Sequence, residues 1–221
     1  MENKIDNNKN KKIIIVGILV LFLLLIGGTY AYMVYSATIS NGNYNTKTTC
    51  FNINYDTGAD IAGTLFPSSG PSGGIAGGVS LIVDSSCSLN GIGDLYLDIN
   101  SVGDTLIQTV SEHCENSATL MTLSNYTNST DCTNNGGVWV DAGTALKYAV
   151  YNTSSVSNET VPLNVGYITG IGSINIYSGF DITNIRSSYY IHVWLDGNIS
   201  DDTYANMSFD GKISASAVQV G

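Results

Sequence analysis

The sequence is short of positive charge, of charge altogether, of proline and of histidine. Eight Lys and Arg stand against eighteen Asp and Glu, a formal charge of −10, and four of those eight are Lys4, Lys9, Lys11 and Lys12. Without the segment before Tyr32, which also holds Glu2 and Asp6, the remainder carries −12. Nucleic acid and anionic lipid need a basic footprint, so this surface disfavours both as partners. Charged residues make up only 12% and Pro numbers three, while Gly, Ser, Thr, Asn and Tyr abound. Such a composition belongs to a β-rich, turn-rich extracellular protein and not to a helical enzyme. Disorder is disfavoured for most of the chain by 43% hydrophobic residues and 14 Tyr.

The catalytic inventory is equally thin. His113 and His192 are the only histidines, and no GxSxG, HExxH or P-loop pattern occurs. His192 lies between Ile191 and Val193, where a satisfied strand histidine outweighs a catalytic base. His113, beside Glu112 and Cys114, suggests a Cys/His dyad, but a disulfide at Cys114 removes the nucleophile. Neither CxxC nor HxxxH spacing is present, which speaks against zinc. Asp196, Asn198, Asp201 and Asp202 form an oxygen-rich stretch without the full calcium-loop pattern, and it reads as a surface turn. The expectation is no enzyme, no catalytic residue, no cofactor and no metal.

One feature is abundant: a charge-free apolar run over residues 13–35, IIIVGILVLFLLLIGGTYAYMVY. It is long enough to cross a hydrocarbon layer of about 30 Å as a helix. The lysines of residues 1–12 keep the N-terminus in the cytoplasm and send the rest outward. Two uses fit the run. As a signal peptide it offers small residues at Thr29 and Ala31 for cleavage after Ala31, which is the preferred reading. As a retained anchor it has Tyr30, Tyr32 and Tyr35 as an aromatic belt.

Cys50, Cys87, Cys114 and Cys132 all fall on the exported side. An even count in an oxidising compartment predicts two disulfides. Of three connectivities, Cys50 with Cys87 and Cys114 with Cys132 is favoured, because each pair brackets a local hairpin or insertion.

Residues 36–46 form a flexible linker or a donor strand, with Met33, Tyr35, Ala37 and Ile39 alternating on one side. From Lys47 the chain reads as strand, then as a loop over 56–78. Val79, Leu81 and Val83, and then Leu95, Leu97 and Ile99, read as the two arms of a hairpin. Residues 112–140 look like an insertion tied by Cys114 and Cys132. Leu146 to Tyr151 alternates as a strand, and Val161 to Gly179 reads as two strands about a turn at Thr169 to Ser173. Tyr189 to Leu195 carries bulky side chains on both faces, the mark of a central strand. Phe209 to Val218 closes the chain. About eight strands predict an all-β, jelly-roll-like β-sandwich over 47–221, preceded by the signal or transmembrane helix.

Two stretches carry a resemblance. Gly27-Gly28-Thr29-Tyr30-Ala31-Tyr32 after the apolar run, and the closing Phe209-Asp210-Gly211-Lys212-Ile213-Ser214-Ala215-Ser216-Ala217-Val218-Gln219, resemble the TasA/camelysin family of bacterial surface and biofilm-matrix proteins. The resemblance implies a jelly-roll ectodomain on the cell surface or in its matrix, released by a dedicated signal peptidase of the SipW type. It also implies self-association or association with related surface subunits, in fibres where the N-terminal segment of one subunit completes the sheet of the next. Residues 112–140 and the paired cysteines depart from that pattern. Camelysin has been regarded as a protease, and the missing HExxH counts against that activity here.

The functional expectation is therefore an exported cell-surface structural protein. The alternative is a membrane-anchored adhesin or carbohydrate-binding module, with Tyr126, Trp139, Tyr151, Tyr189 and Trp194 as a stacking platform, although strand aromatics are more often core.

Overall fold

The computed structural model describes residues 60–83, 90–103, 110–140, 145–199 and 207–219, and the backbone alone of Val34–Ala37, Thr46–Lys47 and Phe51–Asn54. Two compact units divide the chain, residues 1–35 and 36–221. In chain order the strands are β1 (Val34–Ala37), β2 (Thr46–Lys47), β3 (Phe51–Asn54), β4 (Asp60–Leu65), β5 (Pro67–Ser68), β6 (Ile75–Val83) and β7 (Gly91–Val102). There follow β8 (His113–Asn116), a short helix α1 (Ser129–Asn134), β9 (Gly137–Val140) and β10 (Leu146–Tyr151). The chain then runs through β11 (Asn164–Tyr167), β12 (Gly172–Ile182), β13 (Ser187–Asp196) and β14 (Met207–Gln219).

These strands build an all-β sandwich. In one sheet β4, β14, β7 and β12 lie side by side, all antiparallel. In the other the order is β11-β10-β13-β6-β3-β2, and β5 adds a short parallel pairing to β13. Period-2 alternation sets which side chains point between the sheets. Leu95, Leu97 and Ile99 of β7 meet Leu146, Tyr148 and Val150 of β10 and Tyr189, Ile191, Val193 and Leu195 of β13 in one core. Each fully buried aliphatic side chain there contributes about 1.5–3 kcal/mol. Leu97 shows the interlock, paired with Ile213 on one side and Ile174 on the other, with no exposure at all.

The expected central strand is central: β13 has β10 on one edge and β6 on the other. Two other expectations are overturned. The runs Val79 to Val83 and Leu95 to Ile99 are not arms of one hairpin, because β6 spends its edges on β13 and β3 while β7 spends its edges on β12 and β14. Residues 56–78 are not one loop, since they include β4, β5, a 3-10 turn at Pro71–Gly73 and the start of β6. Only Ile61 and Leu65 of β4 are buried, which gives no period-2 signal, and Gly77 and Gly78 mimic a turn. Gly77 is small for a packing reason. A Cβ there would stand 2.7 Å from Ile61 Cγ1 and 2.9 Å from Ile213 Cδ1, across the sandwich.

No helix among the described residues is long and apolar enough to cross a membrane, and the expected signal or transmembrane helix at 13–35 lies almost wholly outside them. Thr29, Ala31, Met33 and Ile39 also lie outside, as do Cys50 and Cys87 and their expected bond. Tyr35 and Ala37 are described only as backbone in β1.

Candidate functional site

Residues 112–140, expected as an insertion, hold a small sheet of their own. Strands β8 and β9 form a separate two-stranded antiparallel sheet, and α1 leads into β9. The helix is short, so its ends matter. Asn128 caps it by accepting the Asp131 amide at 2.9 Å, and Asp131 places negative charge in the first turn. Gly136, with φ +78, takes the left-handed position after the helix. Cys132 on α1 bonds Cys114 on β8 as expected, with S–S 2.03 Å and Cα–Cα 5.6 Å. Gly137 lets β9 pass close to that bridge, since a Cβ there would lie 2.6 Å from Cys114 Sγ. The disulfide fits an oxidising compartment.

With Cys114 turned to the disulfide, its neighbours His113 and Glu115 point the other way, toward the outer face of the larger sheet. Three buried residues in a row result. On that outer face alternation places Lys147 of β10 in register with Tyr167 of β11 and Trp194 of β13. Asp196 ends β13, its amide donating to Ala145 O at 2.7 Å. The insertion covers these side chains, together with a small apolar cluster of Ala149, Tyr151 and Trp194 against Leu120, Val156 and Tyr190.

Four titratable groups meet under this cover. Lys147, Glu115 and Asp196 are each 1% exposed and His113 is 6% exposed. Lys147 Nζ donates to Glu115 Oε1 at 2.5 Å, to Asp196 Oδ2, and to Leu120 O at 3.0 Å. His113 Nε2 lies 2.7 Å from Glu115 Oε1 and 3.3 Å from Asp196 Oδ2, while Nδ1 lies 2.6 Å from Ser111 O. The other oxygens are also taken. Tyr167 Oη donates to Glu115 Oε2 at 2.6 Å. Asn198 donates its amide and Nδ2 to Asp196 Oδ1 at 2.7 and 2.8 Å. The Tyr167 ring lies with its centroid 5.8 Å from Lys147 Nζ. Leu120 turns its carbonyl inward from a left-handed backbone, φ 54, a conformation that costs of order 1–3 kcal/mol in a residue with a side chain.

The charges balance in the interior. Burial lowers the His113 pKa, but the hydrogen bonds to Asp196, Glu115 and Ser111 outweigh it and hold the imidazole up at about 10. Burial raises the Asp196 pKa, yet His113 and Lys147 together hold its carboxyl well below the ordinary carboxylate range. Two cations thus face two anions, the condition under which buried charges are tolerated.

By composition His113, Glu115 and Asp196 could hold a metal, their ligand atoms all within 4.8 Å of one another. The chemistry does not fit one. Lys147 Nζ already sits on Glu115 Oε1 and Asp196 Oδ2, the oxygens a cation would take, and His113 Nε2 faces them as a donor.

Asp196 is thereby buried and paired, not part of a surface turn, and Asp201 and Asp202 lie outside the described residues. His113 has Glu115 for its partner and no thiol. His192 is a satisfied strand histidine, 3.1 Å from Pro71 O and edge-on to Tyr151. Of the aromatic platform, Tyr151, Tyr189 and Trp194 are buried. Sequence reasoning missed Glu115 and Lys147. The available signal was a lone cation inside the otherwise apolar run of Leu146 to Tyr151.

The fold and site define an all-β sandwich with a disulfide-tied insertion over a buried Lys-His-Glu-Asp cluster. No family model, curated protein or solved structure matches this chain.

Proposed function

We propose that this chain is an exported cell-surface structural protein of TasA/camelysin type, with a jelly-roll-like sandwich whose subunits assemble by β-strand donation. One relationship carries the reading. Strand β14 pairs with β7 from Phe209 to Gln219, but on its other edge β4 reaches only from Met207 to Lys212. Beyond Asp60 the edge of Ile213 to Gln219 continues, and the Ser36–Ala37 end of β1 belongs beside β14 in the sheet order. A strand that far from its sheet in sequence can come from the same subunit or from the next, because main-chain hydrogen bonds do not distinguish the two. The disulfide and the surplus of negative charge suit an extracellular setting.

The test is to purify residues 32–221 and residues 41–221 and to follow assembly by size-exclusion chromatography and electron microscopy. Polymers of the first and not of the second, with a peptide of residues 32–40 binding the second, are expected. Both forms remaining monomeric at high concentration would overturn strand donation.

A further inference from the structure

The buried cluster has the parts of a bond-forming site. We infer that the Lys147 Nζ and the Asp196 Cγ join in an intramolecular amide, an isopeptide cross-link between β10 and β13, promoted by Glu115 and His113. This inference stands apart from the assembly reading and needs only the cluster itself.

Each group is where the chemistry requires it. Nζ touches Asp196 Oδ2, so the carboxyl carbon is the next atom along. Glu115 Oε1, 2.5 Å from Nζ, is the base that takes a proton from the ammonium and frees the lone pair. The two Asn198 donors on Oδ1 form an oxyanion hole for the tetrahedral intermediate. His113 Nε2, 3.3 Å from Oδ2, is the acid at the leaving oxygen, and its raised pKa keeps it protonated at neutral pH. Leu120 O holds Nζ from the far side, and Tyr167 Oη fixes Glu115 through its second oxygen. These two are positioning residues.

The atoms balance without a co-reactant. The C–N bond forms and the Cγ–Oδ2 bond breaks. The ammonium gives up two of its three protons, both reach Oδ2 through Glu115 and His113, and that oxygen leaves as water. Glu115 and His113 end in their starting states, and nothing is oxidised or reduced.

In bulk water such a condensation runs uphill from a solvated ion pair. Here both partners are 1% exposed, and desolvation removes the advantage of the charged pair over a neutral amide. Neighbouring strands also hold the reactants together, a situation worth effective molarities of about 10⁵ M or more. The product would lock the two strands to each other at the end where the insertion is seated.

Intact-mass spectrometry of the full-length chain, denatured and with disulfides reduced, provides the test. The expected mass is one water below that of the sequence, counted from whichever N-terminus peptide mapping finds. Trypsin is expected to leave the bond after Lys147 uncut, and a branched peptide joining Lys147 to Asp196 should be recovered. Lys147→Arg should restore both the sequence mass and the cut, and Glu115→Gln should leave most chains unlinked. A wild-type chain of full sequence mass that trypsin cuts after Lys147 would overturn the proposal without reference to any variant. A water loss that maps elsewhere, such as to a succinimide, would overturn it too, and a Glu115→Gln chain linked as fully as wild type would overturn the role of Glu115.

Discussion

Glu115 and Lys147 stand 32 residues apart in sequence, yet Oε1 and Nζ meet at 2.5 Å with both side chains almost fully buried. One comes from a small two-stranded sheet and the other from the main sandwich, so this pair fastens the insertion to the larger sheet. Its cost is the desolvation of both charges, and its stability depends on His113 and Asp196 completing the balance.

Removing the cation should therefore be expensive. Lys147→Met leaves Glu115 and Asp196 buried without Lys147, and the expected loss is at least about 3–5 kcal/mol in urea titration. Adding Glu115→Gln and Asp196→Asn should return part of that loss. A single variant as stable as wild type would contradict the cluster as described.

Alkaline pH should loosen the protein. His113 sits at about 10 in the folded chain against 6.5 when unfolded, so its stabilisation is complete below pH 6.5 and is lost as pH rises through about 10. Asp196 has the opposite sign: its folded value is depressed, so its contribution is present above the unfolded value of 3.8 and is lost as pH falls below it. Once an amide closes, Asp196 no longer titrates and no longer helps to hold His113 up, so both arms in full belong to the unlinked chain. Melting temperatures between pH 5 and 10 check the His113 arm (a range of about five units), and a rise toward alkaline pH would refute the sign.

The disulfide closes a loop with a sequence separation of 18, for which chain entropy predicts a contribution of about 3 kcal/mol. Replacing Cys114 and Cys132 by Ser should remove about that much. Hydrogen exchange should quicken first in β8, α1 and β9, while the β7 and β14 amides stay protected. Uniform exchange across both sheets would mean the insertion is not a separate unit.

Packing between the sheets should be tight at Gly77. Gly77→Ala drives a methyl into Ile61 and Ile213 and should cost about 1–3 kcal/mol, whereas Gly170→Ala, with nothing within 4 Å, should cost little. Equal effects in thermal melts would show that the sheets do not interlock there.

Much of the fold was legible in the residues. The alternation of Tyr189, Ile191, Val193 and Leu195 against Tyr190, His192 and Trp194 marks a central strand with bulky side chains on both faces, and β13 lies between β10 and β6. The pairing of Val79 to Val83 with Leu95 to Ile99 was not legible. A period of two states which side chains face the core and is silent about which strand lies alongside. β4 escaped notice because only two of its six residues are buried.

By itself the sequence determined a β-rich body of negative charge, the inward face of most strands, and the closure of a polar insertion by Cys114 and Cys132. These follow from local chemistry: composition, alternation and the spacing of two thiols. Only the tertiary structure decided that His113, Glu115, Lys147 and Asp196 share one buried cluster, because three separate strands supply them and no short-range pattern encodes their meeting. Burial makes the difference, since four groups that would each be hydrated in an open chain become partners once water is excluded.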